Sequence, residues 1–517
     1  MPLSLQSLRD SFASERAGSL EFLGPESARL FTRELAESLV GVLTKNYRSP
    51  LQPLSPGFVS ASVDGRPWTD TMWTRDAGVF LRELVHWGYF AHARLTASCL
   101  MDLVQPNPDG FLTFPMFFKL AEKASGDELD GTAAICISFV LLWQRLPDQD
   151  PMREELRTFL RRKDSPLAFI ALRIRNGALI AGSGEFGGGC GIEGLYCNVV
   201  QNTLVRCALE AAASLEEECG DTSRARELRG QAESLERGIL KHLVAADGSW
   251  IWCVDPATLK PDPAVVDHII NRGFGGLNGP GCMVADVLGM EPAVSGWPGA
   301  AAARATFDKL LANPMRRRQF DAYGLWTQFD DYGRGYLTGP SYGHGYALQG
   351  MLLYDRMDLV EKALGYLIES TFRPPRQFAM NRQSPYWFYE RYHSPDDEGG
   401  PTWDEGCGAL NLVCVAEPMK VARLVAGIDD VRGDPVLLPR LPASWEGYRV
   451  RDWPVRTSAG TRRIDVDAER RGGRMRMEVR VRDGAVLPRL TVKTGRPGAR
   501  VSQELRRVSS AIVEIDA

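Results

Sequence analysis

Several short segments of this chain place carboxylates beside glycines or aromatic rings, just before a predicted helix, where they could do acid–base chemistry. Cleavage of an acetal needs a carboxylic acid to protonate the leaving oxygen and a carboxylate that activates water or attacks directly. Glu193 lies in the segment richest in glycine, which begins at Gly187. Glycines let a ligand approach the backbone closely, and apolar neighbours raise the proton affinity of a carboxyl group. Glu193 is the predicted general acid, with helix capping as the alternative.

The second carboxylate is predicted in a later stretch rich in aromatic residues. Glu390 is followed by Arg391, whose positive charge would favour the ionised form of Glu390. Glu405 follows Trp403 and Asp404. A structural ion pair between Glu390 and Arg391, and helix capping by Asp404, are the alternative interpretations. We favour Glu390 as the base and keep Glu405 as the rival candidate.

Aromatic and charged side chains near these carboxylates could hold a sugar. Trp73 can offer its flat face to the C–H side of a sugar ring, while Arg75 and Asp76 can hydrogen-bond adjacent hydroxyls. The alternative makes Asp76 a helix N-cap with Arg75 as its ion-pair partner. Asp130 also heads a predicted helix, so capping is its alternative. The predicted substrate-binding residues are Trp73, Arg75, Asp76, Asp130, Tyr342, His344, Trp387, Arg391 and Trp403.

The elements that must position these residues are mostly helices. From about residue 26 to 427, apolar residues recur with helical period, and the connections are rich in glycine, proline and aromatic residues. Consecutive helices with short connections predict antiparallel hairpins. Predicted helices cover roughly 77–88, 90–104, 130–145, 199–218, 222–242, 301–312, 343–355, 358–370 and 405–425.

The pattern changes after about residue 430. Met475, Met477 and Val479 alternate with charged residues, which is the period of a half-buried strand. Arg470–Gly473 is a predicted hairpin turn between two strands. We therefore predict a mainly α fold, with a helical catalytic domain over residues 1–430 and a small β domain over residues 431–517.

Composition excludes several classes of partner. The net charge of -4 gives no electrostatic reason to expect nucleic acid. No basic stretch with an apolar core opens the sequence, and no apolar window of membrane-spanning length follows, so we expect a cytoplasmic protein without membrane contact. The cysteines form no CxxC pair and histidines are few, so no disulfide framework, no metal and no cofactor are predicted.

These motifs and their order resemble the six-hairpin toroid glycosidases, which include glucoamylases, glycogen-debranching glucosidases and processing α-glucosidases. Trp73–Asp76 is similar to a W-x-R-D element that holds the terminal sugar, and Glu193 is similar to the general acid of the first two groups. The stretch 332–342 resembles Y-x-x-G-P-x-W, with Tyr342 in place of the tryptophan. Residues 389–392 resemble the W-E-R-W of α-L-rhamnosidases, which share the toroid and a C-terminal β domain.

The resemblance implies an (α/α)6 six-hairpin toroid and hydrolysis of an oligosaccharide or glycoside by two carboxylates, with inversion. It would make the protein an exo-acting α-glucosidase or an α-L-rhamnosidase-like hydrolase. A non-catalytic carbohydrate-binding or regulatory protein on the same toroid is the alternative from another class. A phosphorylase or lyase would need a phosphate cluster or a basic uronate site, and an epimerase would need paired histidines. None of these is evident in the sequence.

Overall fold

The structure is a computed structural model and is mainly helical, as the periodicity predicts. It describes residues 15–46, 57–61, 71–119, 128–175, 178–182, 196–251, 253–261, 299–312, 314, 317, 321, 338–340, 348–353, 355–372, 391–393, 412–430, 433–494 and 501–516. Among the helices of these residues, none is long and apolar enough to cross a membrane.

The helices follow one another in pairs, and their bounds confirm the predicted ones to within a few residues at most ends. They are α1 (Glu26–Asn46), α2 (Thr74–Trp87), α3 (Phe90–Leu103), α4 (Leu129–Arg145), α5 (Pro151–Arg161), α6 (Pro166–Leu172), α7 (Val199–Glu218), α8 (Thr222–His242), α9 (Gly299–Ala312), α10 (Met357–Phe372) and α11 (Leu412–Ala426). Of the helix predicted at 343–355, residues 348–353 are described and helical. The helix predicted from residue 405 is described from Leu412 onwards.

Local sequence explains several helix starts. Asn198 begins α7 by accepting a hydrogen bond from the Gln201 backbone N–H at 2.8 Å. Asp221 caps α8 in the same way, through the N–H of Arg224. Such caps satisfy backbone donors that the first turn leaves without a partner. These helix boundaries are therefore encoded locally.

The helices form an inner and an outer layer. Every residue of α2 and α4 is buried, and α4 is apolar on nearly all sides, as expected of a helix enclosed by others. α2 packs against α4, α4 against α7, and α11 against α2, which makes these the inner helices. α5 and α8 bury only one face and lie outside.

The strands after residue 430 form two sheets together with two earlier strands. The strands are β1 (Ser19–Leu23), β12 (Ile428–Asp429), β13 (Val436–Leu437), β14 (Gly447–Val455), β15 (Arg462–Arg471), β16 (Arg474–Val481), β17 (Leu487–Thr494), β18 (Val501–Val508) and β19 (Ser510–Asp516). One sheet is antiparallel, in the order β1-β14-β15-β16-β19, and the other has the order β12-β13-β17-β18. The β15–β16 hairpin turns at Gly472 and Gly473, both at positive φ, which confirms the predicted turn.

Short paired strands lie in the connections between the helices. They are β2 (Thr71–Trp73), β3 (Gln105–Pro106), β4 (Leu112–Thr113), β5 (Phe117–Lys119), β6 (Ile174–Arg175), β7 (Leu179–Ile180), β8 (Cys197–Asn198), β9 (Cys253–Val254), β10 (Thr338–Pro340) and β11 (Arg391–His393). β2 pairs with β5, and β8 pairs with β9. Two of these strands, β2 and β8, run directly into α2 and α7.

The carboxyl ends of three inner helices are covered by residues near or within the β sheets. At the end of α2, the rings of Trp87 and Trp453 lie 4.8 Å apart. At the end of α4, Arg145 forms a two-point ion pair with Asp430, with Nη2 2.5 Å from Oδ1. At the end of α7, Glu218 pairs with Arg456. Because the carboxyl ends are covered, a substrate is expected to bind at the amino ends of the same helices.

Candidate functional site

The amino ends of α2, α4 and α7 meet at one place. Arg75 Nη1 on α2 lies 3.5 Å from Asp130 Oδ2 on α4. Gln201 Nε2 on α7 donates to Asp130 Oδ1 at 3.4 Å. Because the other ends of these helices reach the β sheets, the three helices run side by side in the same direction. Their first turns form the candidate site.

Arg75 is the central cation of the described part of this site. Its Nη2 lies 3.6 Å from Asp76 Oδ1, in addition to the ion pair with Asp130. Arg75, Asp76 and Asp130 are all buried. The structure thus brings Asp130 to Arg75 and Asp76, which the sequence analysis had placed in a different motif. Ion pairs in such a water-poor environment hold their side chains in a fixed geometry.

Neither aspartate occupies an N-cap position, but both lie at the helix starts that the capping alternatives named, and Arg75 is the ion-pair partner of Asp76 as that alternative predicted. Trp73 occupies the N-cap position of α2, and Glu128 occupies that of α4. Asp76 and Asp130 lie within the first turns, where the helix dipole stabilises negative charge. The Asp130 carboxylate reaches Arg75 across the junction between α4 and α2, whereas Asp76 contacts Arg75 within α2.

Trp73 is held by the short strand pair in front of α2. It pairs in register with Phe117, and the two rings lie 5.4 Å apart at a tilted angle. The side chain is half-buried, so part of its surface is accessible beside Arg75. This position is compatible with the predicted stacking on a sugar.

Sequence reasoning missed Glu128, Gln201 and Thr74 as parts of this site. Glu128 is fully buried, and its Oε2 lies 3.0 Å from the Thr74 hydroxyl oxygen. Gln201 is also fully buried and contacts Asp130. Polar residues in the first turn of an otherwise apolar helix could have indicated these site residues from the sequence. Gln201 and Asn202 are such residues.

The remaining predicted residues mostly lie outside the described residues. These are Glu193, Tyr342, His344, Trp387, Glu390, Trp403 and Glu405. For Arg391 the structure describes the backbone, which pairs with Pro340 in the β10–β11 ladder. The ladder thus joins Arg391, which follows Glu390 in the sequence, to Pro340, which comes two residues before Tyr342.

A second group of buried charges lies further along the inner helices. Arg82 pairs with Glu83 at 3.1 Å and with Glu417 at 3.6 Å. Gln349 donates to the other carboxyl oxygen of Glu417, and Arg423 pairs with Glu83 at 3.1 Å. This group, which we call the inner charge cluster, links α2, α11 and the helical segment 348–353.

Burial shifts the titration of two groups in this region. Desolvation raises the pKa of Glu417 to about 8; Arg82 opposes the shift, while Glu83 and Asp76 add to it. The contribution of Asp76 shows that the inner charge cluster and the candidate site interact electrostatically. Burial also holds the pKa of His86 well below its usual value, helped by the positive charges of Arg423, Arg145 and Arg82.

Comparison with known proteins gives structural matches only. No protein-family model and no curated protein sequence matches the chain. An α-L-rhamnosidase from Dictyoglumus thermophilum matches with a TM-score of 0.61 at 10% identity, over 97% of this chain and 51% of that chain. A GH78 family rhamnosidase of Bacillus sp. GL1 matches with a TM-score of 0.57 at 13% identity, over 94% and 43%.

A human-microbiome protein assigned as a kojibiose phosphorylase also matches, with a TM-score of 0.52 at 9% identity, over 96% of this chain and 63% of that chain. The chain has the (α/α)6 toroid fold with a small C-terminal β domain. This confirms the predicted fold class. The chain spans about half the length of the rhamnosidases.

Proposed function

We propose that this protein is an enzyme acting on glycosides, in the first instance a glycoside hydrolase, with its site at the amino ends of the inner helices. The observation that carries the proposal is the buried Arg75, held between Asp76 and Asp130 where α2 and α4 meet. The opposite ends of these helices are covered by the β sheets. A toroid with this arrangement offers one polar end to a ligand.

The binding chemistry follows from the residue types. A guanidinium fork and two carboxylates can form charge-assisted hydrogen bonds with neighbouring hydroxyls of a sugar. Trp73 adds an apolar face beside them. Tyr342, His344, Trp387, Arg391 and Trp403 complete the proposed sugar-binding set.

Catalysis is assigned to carboxylates that come shortly before described elements in the sequence. We propose Glu193, which precedes α7, as the acid that protonates the glycosidic oxygen. Glu390, which precedes β11, is proposed as the base that activates water, and Glu405 is the rival for this role. An inverting reaction requires carboxyl groups roughly 6.5–9.5 Å apart, whereas retention requires about 5–5.5 Å. The substrate class is an oligosaccharide or glycoside, either an α-glucoside or an α-L-rhamnoside.

A panel of aryl glycosides and oligosaccharides, analysed by chromatography, tests the function. The panel includes α-glucosides and α-L-rhamnosides, and each is run with and without inorganic phosphate because a phosphorylase shares the fold. We expect phosphate-independent hydrolysis, with a ~10²-fold or larger loss in Glu193→Gln and in either Glu390→Gln or Glu405→Gln. If turnover requires phosphate, the protein is a phosphorylase and the proposed hydrolysis is wrong. Full activity in Glu193→Gln would refute the assigned acid.

The alternative is a carbohydrate-binding or regulatory protein without catalysis. The same panel separates the two, because such a protein would bind an oligosaccharide in calorimetry and release no product. Binding would still depend on the described site. Arg75→Met would then abolish the heat of binding.

We also propose that the protein acts in the cytoplasm and divides near residue 430. The cysteines carry no CxxC pair, and the described Cys99, Cys136, Cys197, Cys207 and Cys253 are buried, which suits a reducing compartment. Residues 1–430 would form the toroid and 431–517 the β domain. β1, from the beginning of the described chain, joins the sheet of the second part.

A further inference from the structure

The hydroxyl of Thr74, the first residue of α2, is surrounded by three oxygen atoms. Its Oγ1 lies 2.7 Å from the Pro115 carbonyl oxygen, 3.0 Å from Glu128 Oε2 and 3.2 Å from the Met116 carbonyl oxygen. Met116 O already accepts the backbone N–H of Thr74 at 3.1 Å. The two oxygen atoms nearest to the hydroxyl are those of the Pro115 carbonyl and the Glu128 carboxyl.

A hydroxyl has one proton to donate and two lone pairs that accept. The Pro115 carbonyl is buried and is the nearer oxygen, so we expect the Thr74 hydroxyl to donate its proton to this carbonyl. An ionised Glu128 oxygen would then face a Thr74 lone pair at 3.0 Å, with no proton between them. A protonated Glu128 oxygen would instead donate to Thr74, which would donate to Pro115.

We propose that the Glu128 carboxyl carries a proton in the resting protein and that it acts, through Thr74, as a positioning residue for Arg75 and Asp76. The hydrogen-bonded chain runs from Glu128 at the head of α4, through Thr74 at the head of α2, to the loop before β5. It ties three elements together directly next to the proposed sugar-binding residues.

The packing around this chain leaves little room for another arrangement. A Cβ atom at Gly131 would lie 2.5 Å from Thr74 Oγ1, 2.6 Å from Glu128 Oε2 and 3.0 Å from the Arg75 backbone nitrogen. Real Cβ atoms essentially never show distances as short as the first two, and the third is tighter than most real Cβ contacts. A glycine at this position therefore permits Glu128 and Thr74 to meet beside Arg75.

The proton is tested directly by infrared difference spectroscopy of the folded protein at neutral pH, which does not depend on any activity. The difference between wild type and Glu128→Gln should show the loss of a protonated carboxyl C=O band. Glu227→Gln, at an exposed position on α8, is the control for a solvated glutamate. Loss of carboxylate bands alone in Glu128→Gln would overturn the proposal.

The positioning role rests on the proposed function and is tested by kinetics on the best glycoside of the panel. The amide of Glu128→Gln can still donate to Thr74, so kcat and KM should stay within ~3-fold of wild type. Glu128→Ala should lower kcat/KM by ~10–100-fold because Arg75 and Asp76 lose their support, and Thr74→Val should do the same while Thr74→Ser retains activity. Equal losses in Glu128→Gln and Glu128→Ala would refute a neutral donor. If wild type acts on no glycoside, the proposed function fails, while the infrared result still decides the proton.

Discussion

The substitution Glu417→Gln should change how stability depends on pH. Glu417 is 1% exposed in the inner charge cluster, and desolvation raises its pKa from 4.5 to about 8. Between these values the unfolded chain ionises this group while the folded protein keeps the proton. The folded state then binds more protons than the unfolded state, so this group lowers stability as pH rises. Its contribution is most favourable below pH ~4.5 and is lost by about pH 8.

The size of the effect follows from the shift. One pKa unit corresponds to about 1.4 kcal/mol, so the shift from 4.5 to about 8 changes the free energy of unfolding by as much as ~5 kcal/mol. Glutamine resembles the protonated acid, and its carbonyl oxygen can still accept the hydrogen bond from Gln349. The free energy of unfolding of Glu417→Gln relative to wild type should therefore rise by ~3–5 kcal/mol between pH 5 and pH 9.

Urea unfolding followed by tryptophan fluorescence at stepped pH measures this difference. Glu227→Gln, which alters an exposed pair with Arg224, is the matched control and should change stability by less than ~1 kcal/mol at each pH. Parallel pH curves for wild type and Glu417→Gln would refute the reasoning. They would mean that the folded protein holds Glu417 ionised as the partner of Arg82.

Two further pairs of substitutions test the packing at Gly131 and the covered carboxyl ends of the inner helices. Gly131→Ala should destabilise the protein by ~1–3 kcal/mol and lower activity, because the added methyl group meets oxygen atoms. Gly230→Ala, on an exposed helix face with nothing within 4 Å, should stabilise it by about 0.5–1 kcal/mol, and an equal loss in both variants would contradict the packing argument. Arg145→Met should lower the free energy of unfolding by ~3–5 kcal/mol in a urea titration, because it leaves the buried Asp430 without its guanidinium. Adding Asp430→Asn should recover part of this loss, and no recovery would show that the pair contributes little.

The sequence by itself determined most helices of the toroid, although α5 and α6 were not among the predicted ones. Helical period placed the helix at 222–242 at the residues where the structure has it, and the one at 130–145 within a residue. Strand period and two consecutive glycines located the β15–β16 hairpin. These signals are local, because a buried face recurs every few residues and a turn needs particular backbone angles.

Part of the candidate site was also readable in the sequence. Arg75, Asp76 and Asp130 were selected as charged residues at helix starts, and they meet in the structure. Glu128 was passed over in favour of Asp130 because both are acidic residues in the same short segment. Only the packed helices decide which of the two faces Thr74 and which faces Arg75, since each residue turns a helix by about 100°.

Tertiary structure alone decided which distant segments touch. Glu83 pairs with Arg423, Arg145 pairs with Asp430, and β1 at residues 19–23 joins a strand that begins at Gly447. Periodicity shows that a face is buried but not what buries it, and a charge within an apolar helix does not name its partner. The covered carboxyl ends of the inner helices, and hence the end at which a substrate is expected, follow from those long-range contacts.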